Sequence, residues 1–126
     1  MRIILADHNP HALWALVTNL VEEPDIELAG AVTDALQLQE FAAKAAVELV
    51  LLDNHLPGLP IENLIASLRA LTPRLIVVVM SSDTEDSRMI LRAGADAFVS
   101  KADQPDWLLN TLRRFAERAQ QESRPG

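Results

Sequence analysis

Five short apolar runs, each followed by a stretch of helical spacing, constrain this chain more than any other feature. The runs are Arg2–Asp7, Ile26–Val32, Val47–Asp53, Leu75–Ser81 and Ala95–Ser100. They are continuous rather than alternating, the pattern of strands buried on both faces in a parallel sheet covered by helices. Between them, Leu13, Leu16, Val17, Leu20 and Val21 repeat at helical spacing, with Asn9 as N-cap and Pro10 at the first helical position. Leu38, Phe41, Ala42 and Ala45 form a second stripe, and Ile61, Leu64, Ile65, Leu68 and Leu71 a third. Ser82-Asp83-Thr84-Glu85 reads as a capping box for a fourth helix that runs through Ile90 and Ala93 to Gly94. Asp103 is placed to cap a fifth helix carrying Leu108, Leu109, Leu112, Phe115 and Ala119. The order (βα)5 predicts an α/β fold, a doubly wound parallel five-stranded sheet with right-handed crossovers. One domain is expected over residues 1–119, with a polar tail, 120–126, that frays.

Composition narrows the setting. A chain of 126 residues that is 49% hydrophobic can bury a core of its own. No apolar run approaches the roughly 18 residues of a membrane-spanning helix, so no membrane association is expected. Met1–Asp7 meets an acid too early for a signal peptide and reads as a first strand. The absence of cysteine excludes disulfides, thiolate metal sites and a cysteine nucleophile, and fits a cytoplasmic protein. The net charge of −7 argues against direct nucleic-acid binding, which wants a basic stripe. Arg113, Arg114 and Arg118, interrupted by Glu117, read as a solvated helix face.

Chemistry in an open α/β sheet is expected beyond the carboxyl ends of the strands. The first run ends in Asp7-His8, the third in Asp53-Asn54-His55, the fourth in Ser81-Ser82-Asp83 and the fifth in Ser100-Lys101. Each residue alone would pass as ordinary loop chemistry or a helix cap. Together they bring two carboxylates, a hydroxyl and an ammonium from four strands to one edge. Two carboxylates and a backbone carbonyl make a hard oxygen site suited to Mg²⁺. A carboxylate there can act as a nucleophile toward phosphorus, giving an acyl phosphate. The lysine can pair with a phosphoryl oxygen, and the serine can donate to another.

Three segments carry a family resemblance. Leu49-Val50-Leu51-Leu52-Asp53-Asn54-His55-Leu56-Pro57-Gly58 resembles the phosphoacceptor segment of response-regulator receiver domains in two-component signalling. Val77-Val78-Val79-Met80-Ser81-Ser82 resembles their fourth strand, and Ala93-Gly94-Ala95-Asp96-Ala97-Phe98-Val99-Ser100-Lys101 the segment with their aromatic switch residue and active-site lysine. The resemblance runs from Arg2 to about Phe115. It implies a flavodoxin-like sheet in the order 2-1-3-4-5, which sets Asp7 beside Asp53. It further implies Asp53 as phosphoacceptor, Lys101 and Ser81 as phosphate contacts, and Mg²⁺ held by Asp7, Asp53 and the main-chain carbonyl of His55. Ser81 and Phe98 match the switch pair. The implied partners are a histidine kinase or phosphotransfer protein, then a downstream protein or a fused effector. The implied signalling face of helix four, strand five and helix five also allows a homodimer. With no effector expected after helix five, two settings stay open from sequence: a stand-alone regulator, or part of a longer one with a DNA-binding C-terminal domain. Enzymatic activity would be limited to the domain's own phosphorylation and dephosphorylation.

His8 departs from the family pattern, in which a second carboxylate binds Mg²⁺. A neutral imidazole is a poor Mg²⁺ ligand and a good one for Zn²⁺, Ni²⁺ or Cu²⁺, whereas a protonated one would partly replace the metal's charge; either way weakened Mg²⁺ binding is expected. Pro60, Ile61, Ser82 and Ala102 are milder departures. Three other readings remain open from sequence. One is a pseudo-receiver that acts as a phosphorylation-independent interaction module. The second is a small flavodoxin-like cofactor binder, which the mere 4 glycines and the lack of a glycine-rich loop disfavour. The third is a transition-metal site built from Asp7, His8, Asp53 and His55.

Overall fold

The computed structural model describes residues 1–101 and 105–123. Five strands, β1 (Arg2–Ala6), β2 (Glu27–Val32), β3 (Leu49–Asp53), β4 (Ile76–Ser81) and β5 (Ala97–Ser100), alternate with five helices. The helices are α1 (Pro10–Leu20), α2 (Ala35–Lys44), α3 (Ile61–Leu71), α4 (Ser87–Arg92) and α5 (Pro105–Ser123). The strands form one parallel sheet in the order β2-β1-β3-β4-β5. Class, connectivity and strand order are therefore as expected.

Side-chain alternation divides the core in two. Ile3, Leu5, Leu49, Leu51, Val78, Met80 and Val99 pack with Leu13 and Leu20 of α1 and Leu108 and Leu112 of α5. Ile4, Ala6, Val50, Leu52, Val77 and Val79 pack with Leu38 of α2, Leu64, Ile65 and Leu68 of α3, and Ile90 of α4. Both faces of β3 are buried, which is why its sequence shows no polar alternation. This same alternation sorts the strand-end residues. Asp7, Asp53 and Lys101 have the parity of the face under α1 and α5, whereas Ser81 and Phe98 have that of the α4 face.

The boundaries differ from expectation at the start of the fourth helix. Asn9 caps α1 as expected, its side chain accepting from His11 N and Ala12 N. The Ser82 capping box does not form. Asp83 is the cap instead, accepting from Glu85 N, and a single 3-10 turn (Thr84–Asp86) precedes a short α4. Asp83 thus caps the 3-10 turn, while α4 itself starts after Asp86 with no side-chain cap hydrogen bond. Gly94, at φ 112°, ends the segment with a backbone that favours glycine. α5 continues beyond residue 119 to Ser123, because Gln120, Gln121 and Glu122 are good helix formers and the first breaker is Pro125. Asp103 lies outside the described residues. Among the described residues no helix is long and apolar enough to cross a membrane.

Two polar ties were not foreseen. Arg69 of α3 donates to Leu75 O, Gly94 O and Asp96 Oδ2, and Asp96 also accepts from Val77 N. This staples the end of α3 to the starts of β4 and β5. Arg113 of α5 pairs with Glu23 at 2.7 Å, so it is not simply solvated as its composition suggested.

Candidate functional site

Main-chain hydrogen bonds carry the ladders one residue past each central strand and so fix where the polar groups begin. Asp7 N donates to Val32 O, Asn54 N to Met80 O, and Lys101 N to Ser81 O. The registers Ala6↔Leu52, Asp53↔Met80 and Ser81↔Ser100 then set Asp7, Asp53, Ser81 and Lys101 side by side along one edge. Asp7, Asp53 and Ser81 are the buried polar residues at that edge, at 1%, 0% and 0% exposure. Buried carboxylates are rare unless paired, and these two are paired twice over.

Each carboxylate turns one oxygen to Lys101 and the other toward His8. Lys101 Nζ is 3.1 Å from Asp7 Oδ2 and 3.3 Å from Asp53 Oδ1. His8 Nδ1 hydrogen-bonds Asp53 Oδ2 and lies 3.6 Å from Asp7 Oδ1. Two backbone N–H groups orient the pair, Asn9 N donating to Asp7 Oδ1 and His55 N to Asp53 Oδ1. Asp7, His8 and Asp53 thus form a group whose donor atoms lie within 4.8 Å of one another. The four-residue metal set considered from sequence is reduced to these three, because the His55 side chain is not among them. Two residues on, the chain has left the strand and His55 is exposed. His11, on the first turn of α1, is exposed and likewise apart.

Ser81 Oγ accepts from Asp83 N at 3.0 Å, tying the hydroxyl to the loop that leads into α4. Phe98 is half-buried and packs on the core layer of α2, α3 and α4, as its parity with Ser81 requires. A link that sequence inspection did not single out joins Asn54 Nδ2 to Asp86 Oδ2 at 3.2 Å, spanning the β3–α3 and β4–α4 loops. Arg88 and Arg92 are exposed on α4.

Opposing influences act on Asp53. Burial by itself pushes its carboxyl up, but the hydrogen bonds from His8 and His55 N and the nearby Lys101 ammonium outweigh it and hold it below the ordinary carboxylate value. A lowered folded pKa gives stability that is present above the unfolded value of about 3.9 and lost as pH falls through the folded one. Asp53→Asn is therefore expected to make the acid limb of the stability curve shallower, as read by urea unfolding from neutral pH downward. An unchanged slope would mean that Asp53 takes up its proton equally in both states.

The sequence pattern of the response regulator receiver domain matches residues 3–113. The chain belongs to that family. This receiver domain is 30% identical over 116 residues to the nitrate/nitrite response regulator protein NarL of Escherichia coli K12, covering 90% of the chain and 54% of NarL. The chain thus spans about half the length of that relative. The same fold recurs in solved structures. A CheY-like receiver domain protein from Methanospirillum hungatei JF-1 superposes with a TM-score of 0.84 at 24% identity, over 97% of this chain and 98% of the other. RcsB from Salmonella enterica serovar Typhimurium, seen bound to promoter rprA with the phosphomimetic BeF3−, gives 0.81 at 22% identity, over 90% of this chain and 66% of RcsB. The receiver domain of the sensor histidine kinase PA1611 from Pseudomonas aeruginosa PAO1, with magnesium coordinated in its active-site cleft, gives 0.79 at 21% identity, over 92% and 97%. The protein is accordingly a receiver domain of a two-component response regulator, and that assignment displaces the cofactor-binder reading.

Proposed function

We propose that this receiver domain accepts a phosphoryl group on Asp53 from a histidine kinase or phosphotransfer protein. The observation that carries the reading is a fully buried carboxylate at the end of β3 with an ammonium 3.3 Å from one of its oxygens. In the step, an Asp53 oxygen bonds to phosphorus while the donor's bond to phosphorus breaks and its electron pair stays with the donor. Water later attacks the acyl phosphate, releasing phosphate and restoring the carboxylate. Lys101 would hold a phosphoryl oxygen by a charge-assisted contact, and the Ser81 hydroxyl would donate to another.

The donor set suits a divalent cation. Two buried carboxylates converge with oxygens unshared by Lys101, and the main-chain carbonyl of His55 is the remaining oxygen donor the family pattern implies. When bound, the cation would offset the charge of the incoming phosphoryl oxygens. Mg²⁺ is the expected ion, with affinity weakened by His8, and the magnesium site named for the PA1611 receiver supports an ion at this edge.

Signalling would run from Ser81 and Phe98 to the surface of α4, β5 and α5, where Met89 and Leu91 are exposed. That face could meet a downstream protein, a fused effector or a second copy. Because NarL extends well beyond this stretch and RcsB is seen on a promoter, the expectation of no nucleic-acid contact is not extended to a whole parent protein.

The experiment is treatment with acetyl phosphate or beryllofluoride, with and without Mg²⁺, read by mass spectrometry and NMR. A phosphoryl adduct mapping to Asp53 and absent from Asp53→Asn is expected. No adduct under any metal condition would leave the pseudo-receiver reading, for which His8 against Asp53 is the supporting observation.

A further inference from the structure

Each carboxylate of the Asp7–Asp53 pair has two differently occupied oxygens. Lys101 takes one side of the pair, and on the other side Asp7 Oδ1, Asp53 Oδ2 and His8 Nδ1 converge, so that a bound ion would take the place of the proton between His8 and Asp53. The imidazole nitrogen is not a bystander at the rim. It hydrogen-bonds directly to one carboxylate and sits 3.6 Å from the other, so any cation drawn to the two acids meets it. Nearly half the His8 side chain is exposed, at 48%, while the two acids are at 1%. An ion could therefore enter from solvent and keep water in its remaining positions. The Asn9 N–H already holds the Asp7 carboxylate in orientation, the kind of outer contact that sharpens a metal site.

We propose that Asp7, His8 and Asp53 make a mixed nitrogen–oxygen site that prefers late first-row divalent cations, of the Zn²⁺ or Co²⁺ class, to Mg²⁺. Mg²⁺ is hard, favours oxygen and gives up its water reluctantly, so exchanging a carboxylate for an imidazole removes charge and a preferred donor together. For Zn²⁺, Co²⁺ and Ni²⁺ the exchange retains or raises affinity, because imidazole is a good ligand for them and their intrinsic affinities are higher. One residue thus reorders the ions that this edge accepts. The inference rests on the reading of the edge as a cation-assisted phosphoacceptor site. Its test reads ion binding alone, so ion choice and phosphorylation can fail separately.

The probes are ZnCl2, CoCl2 and MgCl2, titrated into the full chain by calorimetry in phosphate-free buffer. Zn²⁺ and Co²⁺ are expected to bind more tightly than Mg²⁺ by on the order of a hundredfold. His8→Ala should weaken Zn²⁺ binding by at least about tenfold, whereas His8→Asp should strengthen Mg²⁺ binding and narrow the gap. His11→Ala should leave both unchanged. In the unaltered protein, Co²⁺ should produce visible absorption bands and paramagnetic shifts on the His8 ring protons, a readout independent of how the variants fold. Mg²⁺ binding as tight as Zn²⁺ overturns the proposal. So does Zn²⁺ binding that survives His8→Ala or is lost in His11→Ala, the mark of adventitious surface imidazoles.

Discussion

Lys101→Met is expected to slow phosphorylation of Asp53 by acetyl phosphate on the order of a hundredfold, the usual cost of removing one preorganised donor from a developing anionic centre. The change also strikes the resting protein. Asp7 and Asp53 are both buried and both lean on the one ammonium, at 3.1 and 3.3 Å. Without it, two carboxylates face each other with only His8 to separate them. Taking one partner from a fully buried pair costs about 3–5 kcal/mol. The Lys101 side chain is 28% exposed, so solvent can enter the gap and a loss of about 2 kcal/mol is expected at neutral pH. The double variant Lys101→Met/Asp53→Asn separates charge from packing. Removing one of the repelling carboxylates should return part of the loss, so that the two changes fall short of additivity by on the order of 1 kcal/mol. Urea unfolding in chelator, to keep stray cations out, measures this. Strict additivity would show that Lys101 acts on each acid independently, and undiminished phosphorylation would remove it from the chemistry.

The second large effect lies in the β2–α2 packing rather than among the site residues. Gly30→Val should destabilise the fold by about 3 kcal/mol. A Cβ at Gly30 would stand 2.6, 2.7 and 3.0 Å from three atoms of the Phe41 ring, closer than carbon atoms pack. The ring belongs to α2 and lies over β2 because that position carries no side chain. The reason is a shift of register. Ile3 pairs with Leu28 but Ile4 with Gly30, so Ala29 is an extra residue in β2. In an unbroken strand, positions four apart share a face. Here Leu28 packs under α1 and α5, while Val32 packs under α2 and α3. Phe41→Ala placed in the Gly30→Val background should recover part of the loss, since it removes the obstructing ring. Recovery measured by thermal or urea unfolding tests the contact directly. If the valine is tolerated without that second change, the ring moves freely and the close packing does not constrain β2.

Much of the molecule was legible before any coordinates. Continuous apolar runs can satisfy both faces of a strand only in a parallel sheet between helix layers, and their alternation with helical stripes leaves little choice of architecture. Because chemistry in such sheets gathers at the carboxyl ends of the strands, reading what closes the first, third, fourth and fifth runs was enough to nominate Asp7, Asp53, Ser81 and Lys101. The helix starts were less secure. Asn9 behaves as its sequence implies, whereas Ser82 and Asp83 compete as caps, and the local sequence of each is acceptable.

What the sequence by itself determined, then, is the α/β class and the set of polar groups delivered to one edge, because both follow from periodicity along the chain. Which oxygen of each acid faces Lys101 and which faces His8 was decided only by tertiary structure. So were the Arg69 staple, the Asn54–Asp86 link and the Gly30–Phe41 contact. These depend on residues up to 94 positions apart in sequence, or on a one-residue bulge. No local pattern encodes them, since they are set by the register in which strands meet and the depth at which helices settle on them.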